Sequence, residues 1–236
     1  NGHGTHCAGI VAATINNSVG ISGLAQVRIM AEKGLDCSGS GWDDDLANAV
    51  IHAVEQGADI INLSWGLNED SSLVRDAIEY AHERGVLLIG AAGNDASDRK
   101  HYPAAYDEVI AVAATDDTDS KASFSNYGEW VELAAPGVEI LSTYFDYYKA
   151  LSGTSMSSPH VVGLAALILS RFPWMTRDQV RAQLRLTTED LGKPGFDYHY
   201  GYGRINAKKA VETPVPEHDL MILNWQKPRH IRMGDT

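Results

Sequence analysis

Short, continuously apolar runs alternate along the chain with longer stretches of helical spacing. Residues 27–31 form a short β-type run. Residues 43–56 place Leu46, Ala49, Val50 and Ala53 on one helical face, and the acidic first turn suits the positive end of a helix dipole. Residues 58–65 are an apolar run of strand length containing Ile60, Ile61 and Leu63. A helix is expected over 71–84, with Ser71 as its cap and Gly85 as its stop. Strands of the buried type follow at 86–89 and 108–113. Residues 155–171 are apolar nearly all round, which places that helix in the middle of the protein rather than on its surface. An amphipathic helix over 177–186, capped by Thr176, and a short one over 206–211 complete the pattern. Fully apolar strands separated by helices indicate a parallel sheet covered on both faces. The expected fold is α/β, a three-layer sandwich with a mainly parallel central sheet.

After Val211 the character changes. Thr213, Pro214, Val215 and Pro216 read as a linker. Residues 219–225 give a new apolar run, and Gly234 and Asp235 a turn. The expectation is one domain over residues 1–212, then a linker and the first strand of a further β-rich domain over 213–236. The alternative is an arm that packs back on the main domain.

Composition narrows the partners. The 236 residues are 44% hydrophobic and 21% charged, ordinary for a globular chain with a sizeable core. The net charge of −12 repels phosphate backbones, so nucleic acid is excluded as a partner. The acidic runs at Asp43, Asp44 and Asp45 and at Asp116, Asp117 and Asp119 read as solvated surface, though hard oxygen ligands also suit calcium. Two cysteines, Cys7 and Cys37, define no disulfide framework. No stretch of apolar residues is long enough for a membrane span. No leader is visible either, and the chain opens at Asn1 inside a motif, so its natural beginning is expected to lie upstream.

Three segments carry chemistry together: Asn1-Gly2-His3-Gly4-Thr5-His6-Cys7-Ala8-Gly9, Ala91-Ala92-Gly93-Asn94, and Gly153-Thr154-Ser155-Met156-Ser157-Ser158-Pro159-His160. A serine nucleophile needs a base to take its proton and donors for the oxygen that becomes charged. His3 can supply the base. The Asn94 side chain and the Ser155 backbone N–H can supply the donors. Ser155 also stands at the start of the apolar helix, where free N–H groups and partial positive charge gather. Pro159 reads as a first-turn residue, where a missing N–H costs nothing. His6 and His160 read as structural. His3 and His6 alone could suggest a metal pair, but the zincin pattern needs a glutamate after the first histidine, and Gly4 stands there. Cys7 reads as a small buried residue close enough to make the site sensitive to heavy metals. The G-x-S-x-G elbow of α/β-hydrolases is absent, since Ser157 takes the last glycine position.

These segments resemble the histidine, oxyanion-asparagine and serine motifs of the subtilisin-like serine proteases. The resemblance extends to Ile61-Asn62-Leu63-Ser64-Trp65-Gly66, Tyr102-Pro103-Ala104, Phe124-Ser125, Ala135-Pro136-Gly137 and Gly203-Arg204-Ile205-Asn206. It implies an endopeptidase that cleaves protein or peptide substrates through an acyl-enzyme, with His3 as general base, Ser155 as nucleophile and Asn94 as oxyanion donor. By the same resemblance Ser64, Trp65 and Gly66 pair with substrate backbone, a sequence-tolerant mode. Ala91, Ala92 and Gly93 then form the opposite wall of the first specificity pocket. Such small walls leave room for a large apolar side chain, and Asp95 could attract a basic one instead. Residues 15–21 resemble the family's calcium loop, with the Asn17 side chain and the carbonyls of Ile15, Val19 and Ile21 as implied ligands. Ala104, Tyr106 and Val109 match a weaker cation site. A secreted or surface-bound protein made with a propeptide is implied too.

The sequence departs from the family in one respect: it contains no Asp-Ser-Gly or Asp-Thr-Gly. Asp36 lies after the histidine motif and is not promoted to the triad. The catalytic aspartate, with a central strand of the sheet, is expected upstream of His3. The 236 residues alone are therefore expected to be inactive, and the alternative is a catalytically dead binding scaffold.

Overall fold

The computed structural model describes residues 2–213. Its elements are α1 (His3–Ala12), α2 (Asp43–Glu55), β1 (Ile60–Leu63), α3 (Ser72–Glu83), β2 (Leu87–Ala91), β3 (Val109–Thr115), β4 (Leu133–Pro136), β5 (Ile140–Tyr144), β6 (Tyr147–Leu151), α4 (Thr154–Arg171), α5 (Arg177–Leu186) and α6 (Ala207–Glu212). Strands β1-β2-β3-β4 form one parallel sheet in that order, and β5 and β6 form an antiparallel hairpin.

Alternate residues of the apolar strands face opposite ways, and each face is covered. On one side Leu87, Ile89, Ile110, Val112 and Leu133 pack with Val161, Leu164, Ala165 and Ile168 of α4, with Val180 and Leu184 of α5 at the edge. On the other side Leu63, Leu88 and Val109 meet Ala47 and Val50 of α2 and Val74, Ala77 and Ile78 of α3. Full burial of each large aliphatic side chain is worth about 1.5–3 kcal/mol. The three-layer α/β architecture expected from the sequence is the one observed.

Local signals explain the helix ends. Ser71 caps α3 by accepting from the Val74 N–H. Thr176 and Gln179 form a reciprocal capping box on α5. Residues 27–31 are a correction: they form no strand, and Val27, Ile29 and Met30 are exposed. Strand propensity needs a ladder partner, and among the described residues nothing pairs with this run. β1 lies at the sheet edge, and three of its four residues are only half-buried. The reading of 219–225 as a strand lies outside the described residues.

Candidate active site

The C-terminal ends of β1 and β2 run into the segments Ser64-Trp65-Gly66 and Ala92-Gly93-Asn94, and the hairpin β5–β6 runs into Gly153 and α4. Crevices beyond the carboxyl ends of parallel strands are where open α/β sheets bind ligands.

Ser155 is the second residue of α4 and is half-buried. Its Oγ donates to the Ser64 carbonyl at 3.3 Å. Pro159 sits one turn further on than the sequence reading placed it, as the sixth residue of the helix. At that position a missing N–H matters, because it would have bonded to the Ser155 carbonyl four residues earlier. That carbonyl instead accepts from Ser64 Oγ at 3.0 Å and Cys7 Sγ at 3.4 Å. Ser64 Oγ is itself held by Asn62 Nδ2 at 2.9 Å, and Asn62 Oδ1 accepts from Ser158 Oγ at 2.6 Å. Asn62 is therefore a site residue that motif matching alone gave no role.

Asn94 is oriented from the same turn. Its Oδ1 accepts from the Thr154 N–H at 2.8 Å and from Thr154 Oγ1 at 3.1 Å, and Thr154 Oγ1 accepts from the Gly93 N–H at 3.0 Å. With the carbonyl end fixed, the Nδ2 end makes no hydrogen bond to the described residues. An amide N–H and the first-turn N–H groups of a helix are donors of the kind that an oxyanion requires.

His3 opens α1, and Cys7 one turn later touches the first turn of α4, so the two elements meet at Ser155. Burial, followed by the neighbouring His6, lowers the His3 pKa below 6.5. A neutral imidazole results, the form that accepts a proton. Burial pushes the Cys7 thiol up to about 11, so it is not the thiolate that a nucleophile requires. Cys37 is likewise free, and exposed.

The profile of the subtilase family matches residues 1–203. The chain belongs to the subtilase family. It is 46% identical over 213 residues to "Thermophilic serine proteinase" of Bacillus sp. (strain AK1), covering 89% of this chain and 52% of that protein. It is 45% identical over 214 residues to "Thermitase" of Thermoactinomyces vulgaris, covering 90% and 75%. It is 42% identical over 213 residues to "Subtilisin Savinase" of Lederbergia lenta, covering 89% and 78%. The chain thus spans about half the length of the Bacillus proteinase. "Minor extracellular protease Epr" of Bacillus subtilis is 44% identical over 211 residues.

In this subtilase chain, Ala91, Ala92 and Gly93 are buried and Trp65 is half-buried. His101 packs between Gly66 and Gly93, a position that motif matching missed because a lone histidine before Tyr102-Pro103 carries no pattern. His6 is fully buried, its Nε2 lying 3.0 Å from the Ile140 carbonyl and 2.9 Å from the Lys149 carbonyl, so it ties both strands of the hairpin to α1. His160 Nδ1 bonds to the Met156 carbonyl at 2.8 Å within α4. Asp36 is exposed and turned inward on its own loop, accepting from the Ser38 N–H at 2.8 Å and the Ser40 N–H at 3.0 Å.

Among the described residues no cluster of three or more His, Cys, Asp or Glu side chains could hold a metal. The calcium loop that the resemblance implies would instead use neutral oxygens. Asn17 Oδ1 accepts from the Val19 N–H at 3.0 Å, which leaves one of its lone pairs. The Ile15, Val19 and Ile21 carbonyls lie in the same exposed to half-exposed turn. This donor chemistry fits a hard cation, though without a carboxylate. At the weaker site the Val109 carbonyl already faces the Arg181 guanidinium at 3.4 Å, which disfavours a second cation there.

No helix among the described residues is long and apolar enough to cross a membrane.

Proposed function

We propose that the protein is a serine endopeptidase of broad specificity that works through an acyl-enzyme. The observation that carries this reading is the Thr154–Asn94 pair, which fixes Asn94 Oδ1 on the turn that bears Ser155 and leaves Nδ2 without a partner among the described residues. His3 takes the Ser155 hydroxyl proton as Oγ attacks the scissile carbonyl carbon. The oxygen of the tetrahedral intermediate is held by Asn94 Nδ2 and the Ser155 N–H. His3 then gives its proton to the leaving amine as the C–N bond breaks. Water, deprotonated by His3, attacks the ester carbonyl, and His3 returns that proton to Ser155 Oγ as the C–O bond breaks and the acid leaves. Substrate backbone adds as a strand along Ser64, Trp65 and Gly66, so affinity owes more to main-chain bonds than to sequence. Ala91, Ala92 and Gly93 line the other side.

Calcium would be held by Asn17 Oδ1 and the carbonyls of Ile15, Val19 and Ile21. It would stiffen the turn after α1 and take no part in the chemistry. The family and the extracellular naming of one relative support a secreted protein made with a propeptide. The 236 residues on their own should turn over little, because they carry no D-[ST]-G segment and β1 is left at an edge.

Fluorophosphonate labelling tests the reading. The protein at its full natural length should label at Ser155 and lose the label in Ser155→Ala, and the 236-residue chain should hydrolyse peptides far more slowly than the longer protein. A full-length protein that folds and binds peptides but never labels would instead be a binding scaffold. For calcium, chelation should lower the melting temperature of the wild type and leave Asn17→Ala nearly unaffected.

A further inference from the structure

The two walls assigned to the substrate cleft each present a glycine, and the His101 side chain lies beside both, sharing the space at Gly93 with Asn126. A Cβ on Gly66 would overlap His101 Nε2, and one on Gly93 would stand 3.0 Å from His101 Cγ. Both positions are inside ordinary van der Waals contact, so the imidazole lies directly against bare backbone on either side.

Backbone pairing fixes this placement. The Leu67 N–H donates to the Tyr102 carbonyl at 2.7 Å and the Tyr102 N–H donates back to the Leu67 carbonyl at 2.9 Å. The residue after Gly66 is thereby tied to the residue after His101. On the other wall, Asn126 Nδ2 donates to the Ala92 carbonyl at 3.0 Å and Asn126 Oδ1 accepts from the Asp95 N–H at 2.8 Å, which holds the Gly93 turn. His101 is half-buried and its Nδ1 is a buried polar atom with no hydrogen-bond partner.

We propose that His101 forms the base of the first specificity pocket and selects, on the acyl side of the scissile bond, a side chain with a hydrogen-bonding tip, glutamine above all, over an apolar side chain of the same length. The proposal rests on the endopeptidase reading and refines it. Small walls alone favour a large apolar residue, but an imidazole between Gly66 and Gly93 shortens the pocket and makes its floor polar. Burial keeps that imidazole neutral, opposed by the charge on Asp95. The two ring nitrogens point apart and Nδ1 is buried, so a side-chain tip meets Nε2 alone; a carboxamide can answer Nε2 whether it carries the proton or the lone pair. A carboxylate only accepts, and would bring a second negative charge toward Asp95. An apolar tip would desolvate Nε2 without offering it a hydrogen bond.

Peptide anilides differing only in the acyl-side residue, glutamine, methionine or phenylalanine, test this on the protein at its full natural length. The wild type should show kcat/KM for glutamine about tenfold above methionine, the worth of one hydrogen bond. His101→Leu keeps the bulk and should erase that ratio while phenylalanine stays poor. His101→Ala should erase it and raise phenylalanine. A glutamine-to-methionine ratio unchanged in His101→Leu overturns the proposal. A second readout needs no turnover. An N-acylated tetrapeptide ending in glutamine, added to the Ser155→Ala protein, should shift the His101 ring resonance, and binding that leaves this resonance unmoved also overturns the proposal. Turnover absent throughout, with the resonance still shifting, sinks the endopeptidase reading and leaves the pocket floor standing. Turnover with indifferent ratios does the reverse.

Discussion

At the residue scale, the candidate site depends on which hydrogen bonds the helix leaves unmade. Pro159 removes the donor that would satisfy the Ser155 carbonyl, and Ser64, just beyond β1, and Cys7 of α1 take its place. The proline therefore couples α4 at Ser155 to α1 and to the segment after β1. Asn94 shows a similar division, with its carbonyl end fixed on Thr154 and its amide end without a partner among the described residues. Asn94→Ala should lower kcat about 10²–10³-fold with little change in KM, a figure carried over from the corresponding donor of subtilisin itself. Steady-state kinetics of the full-length protein check it, and a loss confined to KM would remove Asn94 from the oxyanion role. The segments that bear His3, Ser155 and Asn94 stood out in the sequence because each is a long motif with a chemical reason, and the proposed roles of the three residues rest on those motifs. Asn62 and His101 were not, since their roles arise from contacts with Ser64 and Ser158 and with Gly66 and Gly93, which only the fold brings together.

At the scale of elements, the buried charges hold α5 to the sheet. Glu132 has no exposure, and its carboxylate pairs with Arg181 at 2.5 Å and Arg185 at 2.7 Å. Burial works against its charge, but the two guanidinium groups outweigh burial and bring its pKa down to about 2. Arg181 also donates to the Asp107 carbonyl at 2.8 Å, so one side chain ties α5 to the turn before β3. Glu132→Ala should cost about 3–5 kcal/mol, because it leaves two inward-facing guanidinium groups without a counter-charge. Urea unfolding of variant and wild type reads that difference, and a loss below about 1 kcal/mol would mark the cluster as solvated surface. The amphipathic α5 was plain in the sequence, but its anchor was not: Glu132 lies 49 residues before Arg181, and no local pattern links them. The hairpin β5–β6 escaped for a related reason. Its outer residues Phe145, Tyr147 and Tyr148 are exposed, and it is held instead by His6 and by Ser142 Oγ donating to the His6 carbonyl at 2.7 Å. Residues 27–31 show the opposite failure, a β-type run without a ladder partner among the described residues.

For the whole molecule, titration follows from where the histidines sit. His3, His6 and His160 lie on α1 and α4, and all three have pKa values lowered from 6.5, with burial the first cause in each. His82 and His101 are lowered as well, again by burial first. The unfolded chain takes up these protons near pH 6.5, whereas the folded chain takes them up only at lower pH. Between the two values the unfolded state holds more protons, so stability falls as the pH falls through that window and is flat above it. A tenfold difference in proton affinity between the two states corresponds to about 1.4 kcal/mol for a buried histidine, and to less for the half-buried His82, where solvent screens the charge. Glu132 adds a second, lower window of the same sign. Its folded value is about 2, below the ordinary 4.5, so its contribution is whole above 4.5 and is lost between 4.5 and about 2. Acid destabilisation should therefore begin below pH 6.5, well before the carboxylates protonate. Urea midpoints at about pH 8, 6.5, 5.5 and 4.5 measure it, and His160→Gln should reduce the slope over the lower part of that range by removing one of the groups that must stay neutral inside the fold. Equal midpoints across the series would mean that these histidines take up protons while folded, and that the contact between α1 and α4 opens to water more readily than its burial indicates.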